Sequence, residues 1–166
     1  ANRWMNDNRL TNYKTITEYK PFENLNREQA AKILSMFASV FGFSKIDTTS
    51  ISCVFDDIDV ADASLTTYIQ QVCNLGIMQG SNGYFNPKEN ITKSQFIASI
   101  IRLFEGKKLD ETTNPRWTKY FEKAQQMGMV SPADAITFDN AITRYEVALF
   151  LYRFKVKYQI LQNLNN

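Results

Sequence analysis

The stretch NAITRYEVALFLYRF, residues 140–154, has the pattern of a helix with one apolar face, together with the turn that starts it. Thr143 and Glu146 have the spacing of a capping box, in which each side chain bonds the other residue's backbone N–H. Apolar residues then recur at helical spacing. Arg144 occupies the first helical position, where the helix dipole favours an acid over a base. A cation at this position therefore suggests a role outside the helix itself.

The same arrangement occurs twice more in the chain. Residues 92–95 and 26–29 have capping-box spacing, and the basic residues Lys93 and Arg27 follow the two caps. Three stripes of helical spacing predict an all-α fold with a central three-helix bundle, in which the stripes bury against one another. The stripes consist of Ala30, Ile33, Leu34, Phe37, Ala38 and Phe41; of Phe96, Ile97, Ile100, Ile101 and Phe104; and of Val147, Phe150, Leu151 and Phe154.

A shorter helical pattern precedes two of these turns, at residues 64–76 and 116–128, and ends at Gly76 and Gly128. Glycine just past a helix end is typical of a left-handed C-terminal cap. Residues 2–10 have the corresponding pattern with arginine in place of the glycine. We therefore predict one domain over residues 1–166 with three helix–loop–helix repeats: repeat 1 at 1–43, a linker at 44–53 with room for one short strand, repeat 2 at 54–106 and repeat 3 at 107–162, with 105–115 as a second connection.

Composition narrows the functional classes. The 19 basic residues are nearly balanced by 17 acidic ones, and the net charge of +2 argues against a nucleic-acid groove. The sequence has no run of about 18 apolar residues, so no transmembrane segment is predicted. The absence of histidine excludes Ser-His-Asp catalysis and most zinc sites. Cys53 and Cys73 allow either one disulfide in an oxidising compartment or two buried free thiols.

These features together resemble S-layer homology repeats, in which F-x-D, a short helix often opening with Trp, G-I-x-x-G, an aromatic-x-Pro and I-T-R-A-E follow one another. Repeat 2 carries FDDI at 55–58, GIMQGSNGYFNP at 76–87 and ITKSQF at 91–96. Repeat 3 carries Trp117, GM at 128–129 and ITRYE at 142–146. The resemblance extends over nearly the entire chain, although repeat 1 begins without the F-x-D head.

The resemblance implies a pseudo-threefold arrangement of the repeats, with grooves between them that bind secondary cell-wall polysaccharide, typically pyruvylated. It implies that the cap cations meet the sugar carboxylate and that a Trp and glycines shape the groove. By resemblance the carbohydrate-binding residues are Arg27, Lys93, Arg144, Trp117, Gly76 and Gly128. The implied protein is a secreted bacterial one at the cell surface or in the S-layer.

The charge at the start of each long helix also predicts an anion site at the caps. An arginine at the first helical position, beside free N–H groups, adds its charge to a place that already favours an anion. The alternative for each cation is a solvated side chain whose stem covers its own helix. Tyr19, Phe22, Tyr84, Phe85 and Phe138 are predicted to pack under the loops rather than to form sugar platforms.

The acidic run DDIDVAD at 56–62 leaves a calcium loop open, but it lacks the Gly turn and closing Glu of an EF-hand. Helix capping by Asp56 or Asp62 is the alternative.

The sequence thus predicts a non-catalytic cell-surface anchoring module that needs no cofactor or metal and binds an acidic envelope polysaccharide. The alternative is a structural surface-layer or filament subunit that assembles with copies of itself or with surface-layer proteins through its repeats. A glycosidase would need a pair of inward carboxylates, and no sequence signal selects one.

Overall fold

A computed structural model describes residues 2–43 and 52–164, which form seven α-helices and two short 3-10 helices. No β-strand occurs in these two ranges, so the all-α class is confirmed. The strand allowed in the linker falls mainly on residues 44–51, which lie outside the described ranges. The α-helices are α1 (Asn2–Asp7), α2 (Ile16–Tyr19), α3 (Arg27–Val40), α4 (Thr66–Asn74), α5 (Lys93–Glu105), α6 (Thr118–Gln126) and α7 (Arg144–Leu164), and the 3-10 helices are Ile58–Val60 and Pro132–Thr137.

The long helices α3, α5 and α7 begin at the three predicted basic residues, and each has its predicted capping box. In α3 the Asn26 side chain accepts from the Gln29 N–H at 3.0 Å, and the Gln29 side chain accepts from the Asn26 N–H at 3.2 Å. The same exchange occurs between residues 92 and 95 and between residues 143 and 146. Each cap satisfies one N–H that the helix itself leaves without a partner.

The turns that precede the three long helices are joined by backbone hydrogen bonds in a closed ring. The Leu25 N–H donates to the Ile142 carbonyl at 3.1 Å, Ile142 donates to Ile91 at 3.0 Å, and Ile91 donates to Leu25 at 3.0 Å. All three side chains are fully buried or nearly so. The three long helices therefore start from one common point in the molecule.

Each long helix packs against one short helix. The pairs are α3 with α4, α5 with α6, and α7 with α1. The short helix of one predicted repeat thus lies on the long helix of another, so the predicted helix–loop–helix segments do not pack as separate units. This exchange of helices ties the N-terminal segment to the C-terminal helix.

The apolar stripes of the long helices meet around Phe154 of α7. Its ring centre lies 5.8 Å from that of Phe37 on α3 and 5.7 Å from that of Phe104 on α5. Most stripe residues are buried as predicted, whereas Ile33, Phe41 and Phe104 are only partly buried. None of the helices in the described ranges is both long and apolar enough to cross a membrane.

Two local predictions about the short helices have clear outcomes. Gly76 and Gly128 follow α4 and α6 with φ of 79° and 69°, so the predicted left-handed caps are confirmed. Arg9 has the same left-handed geometry after α1, with φ of 59°.

Cys53 and Cys73 form a disulfide with Cα atoms 5.8 Å apart, which resolves the alternative left open by the sequence. The bond fastens the segment before repeat 2 to α4.

Candidate functional site

Two grooves open beside the first residues of α3 and α7, and we name them for those residues. The Arg27 groove has a volume of about 440 Å³, and the Arg144 groove has a volume of about 270 Å³. The Arg27 groove is lined by Arg27, the turn at 77–81, one face of α5 and Trp117; the Arg144 groove is lined by Arg144, the segment 10–13, one face of α3 and Leu65.

The two grooves are built from corresponding parts. Each has a cap arginine from one long helix, a turn that follows a left-handed residue, and a face of a second long helix. Trp117 and Leu65 each stand immediately before a short helix, α6 and α4 respectively. The Arg144 groove therefore has an aliphatic side chain where the Arg27 groove has an indole.

The Arg27 guanidinium is held by the turn that precedes α5. Its Nε donates to the Phe85 carbonyl at 2.7 Å, and its Nη2 donates to the Gln79 carbonyl at 2.9 Å. Burial lowers the pKa of Arg27, against the opposing charges of Glu89 and Asp57. Its Nη1 makes no hydrogen bond with the residues that the structure describes. The Nη1 group thus keeps its donors unpaired in the described part of the chain.

The Arg144 guanidinium has fewer partners. Its Nε is buried and has no hydrogen-bond partner among the described residues, and its Nη1 lies 3.5 Å from the Tyr19 carbonyl oxygen, a long contact. The guanidinium carbon lies 5.5 Å from the centre of the Tyr13 ring. Burial raises the pKa of Tyr19 to about 12 even though the Arg144 charge lowers it. A cation with so little compensation favours an anion in its groove.

Lys93, the third cap cation, lines neither groove. Its Nζ lies 2.7 Å from a carboxylate oxygen of Glu146 and donates to the Thr137 hydroxyl at 3.0 Å. The lysine side chain is only 12% exposed. The ammonium group is therefore already neutralised within the protein.

The N–H groups at the three caps are bonded within the protein, so the prediction that free N–H groups favour an anion there is wrong. The third N–H of each long helix bonds its capping side chain. The first two bond carbonyl oxygens of a neighbouring turn, because the three turns pack together at the ring. These donors and acceptors are Arg27 to Glu89, Glu28 to Pro87, Lys93 to Asn140, Ser94 to Phe138, Arg144 to Glu23 and Tyr145 to Pro21, at 2.8–3.0 Å. The backbone N–H groups at these helix starts are consequently not free to bind an anion.

Trp117 forms one wall of the Arg27 groove. Its ring packs edge-on against Phe138 with centres 4.9 Å apart, and it also contacts Phe121. Its Nε1–H is buried without a partner in the described part of the chain. The indole is thus positioned by packing and keeps an unused donor.

The glycine that lines a groove is not one of the two that the sequence predicted. Gly76 and Gly128 lie outside both groove linings and act through the turns that they start. Gly80 lines the Arg27 groove, and a Cβ there would lie 2.5 Å from the Tyr84 carbonyl oxygen and 2.6 Å from the Phe55 ring. The second glycine of GIMQG, which the sequence reasoning passed over, is therefore the one that a side chain would disrupt.

The aromatic residues of the loops divide into two groups. Tyr19, Phe85 and Phe138 are buried, so the packing prediction is confirmed for them. It is wrong for Phe22 and Tyr84, which are 87% and 48% exposed. Ser81 and Tyr84 exchange backbone hydrogen bonds across a tight turn, and successive side chains of the extended segment that follows point to opposite sides. Tyr84 consequently faces the Arg27 groove while Phe85 faces the core.

The acidic run at 56–62 holds the loop around residues 85–86 by hydrogen bonds. Asp57 accepts from the Phe85 and Asn86 N–H groups at 2.8 and 2.7 Å. The predicted capping by Asp56 or Asp62 is wrong, because neither side chain caps the helices that follow. Asp62 instead pairs with Lys88 at 2.8 Å. The described residues contain no group of three or more His, Cys, Asp or Glu side chains that could hold a metal ion.

The sequence predicted residues 105–115 only as a connection, whereas Glu111 in this segment lines the far wall of the Arg27 groove. Glu111 in this segment accepts from the Arg102 guanidinium at 2.5 Å and from the Tyr120 hydroxyl at 2.7 Å. Arg116 contacts the other carboxylate oxygen. Acidic residues between Arg102 and Arg116 were the available signal, but nothing in their spacing indicated a groove.

Comparison with known protein families places part of this site in a known class. Residues 54–97, about a quarter of the chain, match the family model of the S-layer homology domain. The matched range contains Asp57, the turn at 77–81 and the Lys93 cap. A search of curated proteins found no match. S-layer homology domains are binding modules that generally anchor proteins to a secondary polymer of the cell envelope, so the match supports attachment at the cell surface.

Proposed function

We propose that this chain is a non-catalytic anchoring module that binds an acidic cell-envelope polysaccharide in the Arg27 and Arg144 grooves. The observation that carries the proposal is the Arg144 guanidinium, a cation in an open groove whose Nη1 makes only the long contact with Tyr19 and whose Nη2 makes no hydrogen bond with the described residues. A carboxylate oxygen placed there would supply a charge-assisted hydrogen bond. A pyruvate ketal on the sugar is the carboxylate that we propose.

We also propose that the three repeats are equivalent units around a pseudo-threefold axis. The closed ring of hydrogen bonds among Leu25, Ile91 and Ile142 supports this arrangement. The cyclic pairing of α3 with α4, α5 with α6 and α7 with α1 supports it as well. The family model matches residues only within the middle repeat. The proposal that repeats 1 and 3 have the same structure therefore depends on these contacts.

The residues have distinct roles in this proposal. Arg27 and Arg144 bind carboxylates, and Trp117 presents its ring to the sugar in the Arg27 groove. Tyr13, 41% exposed under the Arg144 guanidinium, supplies an aromatic surface in the other groove. Lys93 joins α5 to α7 through Glu146, and Gly76 and Gly128 set the turns. Two grooves therefore carry the binding, and the position of Lys93 does not.

A titration against native and de-pyruvylated wall polysaccharide tests the proposal. The parent protein should bind the native polymer and lose most of its affinity for the de-pyruvylated polymer, because the cap arginines then have no carboxylate to meet. Equal binding of the two polymers would contradict the pyruvate assignment. No binding of either polymer, together with concentration-dependent assembly in light scattering, would favour a structural subunit instead.

A further inference from the structure

A second group of cations lies in the Arg27 groove, away from the cap. Arg102 of α5 and Arg116, which precedes α6, both line the groove with Glu111 between them. Arg102 is fixed by three bonds: to the Tyr120 hydroxyl at 3.1 Å, to the Ile77 carbonyl at 2.9 Å and to Glu111 at 2.5 Å. Such a fixed guanidinium can present charge to a ligand with little loss of side-chain entropy.

The positive charge of this group is only partly neutralised. Glu111 pairs with the two arginines, and Lys108, which bonds Gln79 and is not itself a lining residue of the groove, adds a third cation close enough for all three charges to act on it. Burial lowers the pKa of Lys108, and the charges of Arg102 and Arg116 lower it further against the attraction of Glu111. Three cations thus surround one carboxylate, and an anion would be stabilised there.

Arg116 is the member of the group most open to a ligand. Its side chain is 74% exposed, whereas that of Arg102 is 15% exposed. Glu111 holds it by Nε and Nη2 through one carboxylate oxygen. Its Nη1 has no bond to the described residues. The guanidinium is therefore positioned by Glu111 and has a free donor.

Gln79 connects this group to the cap. Its backbone carbonyl accepts from Arg27 at 2.9 Å, and its side-chain Oε1 accepts from Lys108 at 2.7 Å. Gln79 therefore bridges Arg27 and Lys108, and Arg102 and Arg116 line the same groove as Arg27.

We propose that Arg102, Lys108 and Arg116 form a second anion subsite, which takes a second carboxylate of the acidic polysaccharide whose first carboxylate meets Arg27. The inference rests on the proposed function and adds to it that the groove reads two acidic groups along one glycan chain. Two linked contacts strengthen each other, because the second forms at high effective concentration once the first is made. Binding of the polymer should consequently be stronger and more sensitive to salt than binding of a fragment with one carboxylate.

The experiment uses Lys108→Gln and Arg116→Gln, with Lys107→Gln as the matched control. Lys107 is an exposed neighbour with the same charge, and, unlike Lys108, it does not bond Gln79. The probes are a pyruvylated wall polysaccharide and a fragment of it with a single pyruvate ketal, measured by calorimetry after thermal melting has shown each variant to be folded. We expect Lys108→Gln and Arg116→Gln each to bind the polysaccharide about fivefold or more weakly and the fragment as tightly as the parent.

The outcomes separate the two proposals. If the parent and Lys107→Gln bind the polysaccharide and Lys108→Gln and Arg116→Gln bind it equally well, the second subsite is wrong and the proposed function stands. Equal losses for polymer and fragment would also overturn the second subsite, because they would place the cluster at the first carboxylate. No binding by the parent overturns the proposed function and the second subsite with it.

Discussion

The Arg27 guanidinium lies 4.8 Å from the centre of the Phe85 ring, and its Nε donates to the carbonyl oxygen of the same residue at 2.7 Å. The first residue of α3 is thereby bonded to the segment that leads into α5. Arg144 occupies the corresponding position in α7 without such bonds. The two arginines look alike in the sequence, but they should respond differently to substitution.

Arg27→Ala should destabilise the protein, because it leaves the Phe85 and Gln79 carbonyl oxygens without their charged donor. The expected loss in the free energy of unfolding is about 1.5–3 kcal/mol, measured by urea denaturation. Arg27→Lys should recover only part of it, since lysine cannot reach both oxygens with a planar fork. An Arg27→Ala variant as stable as the parent would show that these bonds contribute nothing.

Glu111 should make stability depend on acid pH. Burial alone would raise its pKa, but hydrogen bonds from Arg116, Arg102 and Tyr120 and the charge of Arg102 bring the pKa to about 2, below the ordinary 4.5. Because folding lowers the pKa of Glu111, the ionised carboxylate stabilises the folded protein at pH values above its pKa in the unfolded chain. This stabilisation is lost as the pH falls from about 4.5 to 2. The free energy of unfolding of Glu111→Gln should therefore fall less steeply than that of the parent over this range. Parallel curves would contradict the assignment.

Reduction of the Cys53–Cys73 disulfide should lower the melting temperature. The bond closes a loop with a sequence separation of 20 residues, for which the chain-entropy estimate is about 3 kcal/mol. The double variant Cys53→Ser/Cys73→Ser should melt near the reduced parent and should not respond to reductant. Two free thiols in the unfolded, non-reduced parent would refute the pairing.

Phe154→Ala should be among the most damaging core substitutions, because the Phe154 ring touches aromatic rings from both other long helices. The expected loss is about 3–5 kcal/mol in the free energy of unfolding. Leu164→Ala near the end of the same helix is the control, since Leu164 is 77% exposed. Similar stabilities for the two variants would argue against a core centred on α7.

The sequence predicted the three long helices because their start signals are local. A capping box involves residues three apart, and Thr143 with Glu146 or Asn26 with Gln29 needs no distant contact to be recognised. The disulfide and the grooves depend on distant contacts. Residues 105–115 contain no periodicity, yet Glu111 collects bonds from α5 and α6, and only the packed structure brings these together.

The cap cations illustrate the same limit. The sequence correctly placed Arg27, Lys93 and Arg144 at the first helical positions. It could not show that neighbouring turns would bond the helix N–H groups, because those carbonyl oxygens come from the turns that precede other long helices. Nor could it show that Lys93 would meet Glu146, which lies on another helix. The chemistry at each cap was therefore set by partners far away in the sequence.

The most direct test is the affinity of Arg144→Ala for pyruvylated wall polysaccharide, measured at low salt together with its thermal stability. Arg3→Ala, which removes an exposed cation on α1, is the control. We predict unchanged stability for Arg144→Ala and a loss of binding of about 1.5–3 kcal/mol for the Arg144 groove, tenfold or more, because a charge-assisted contact is removed while no strong internal bond is broken. Binding as tight as that of the parent, in Arg144→Ala and in the double variant with Arg27→Lys, would contradict the proposed carboxylate sites at the cap arginines.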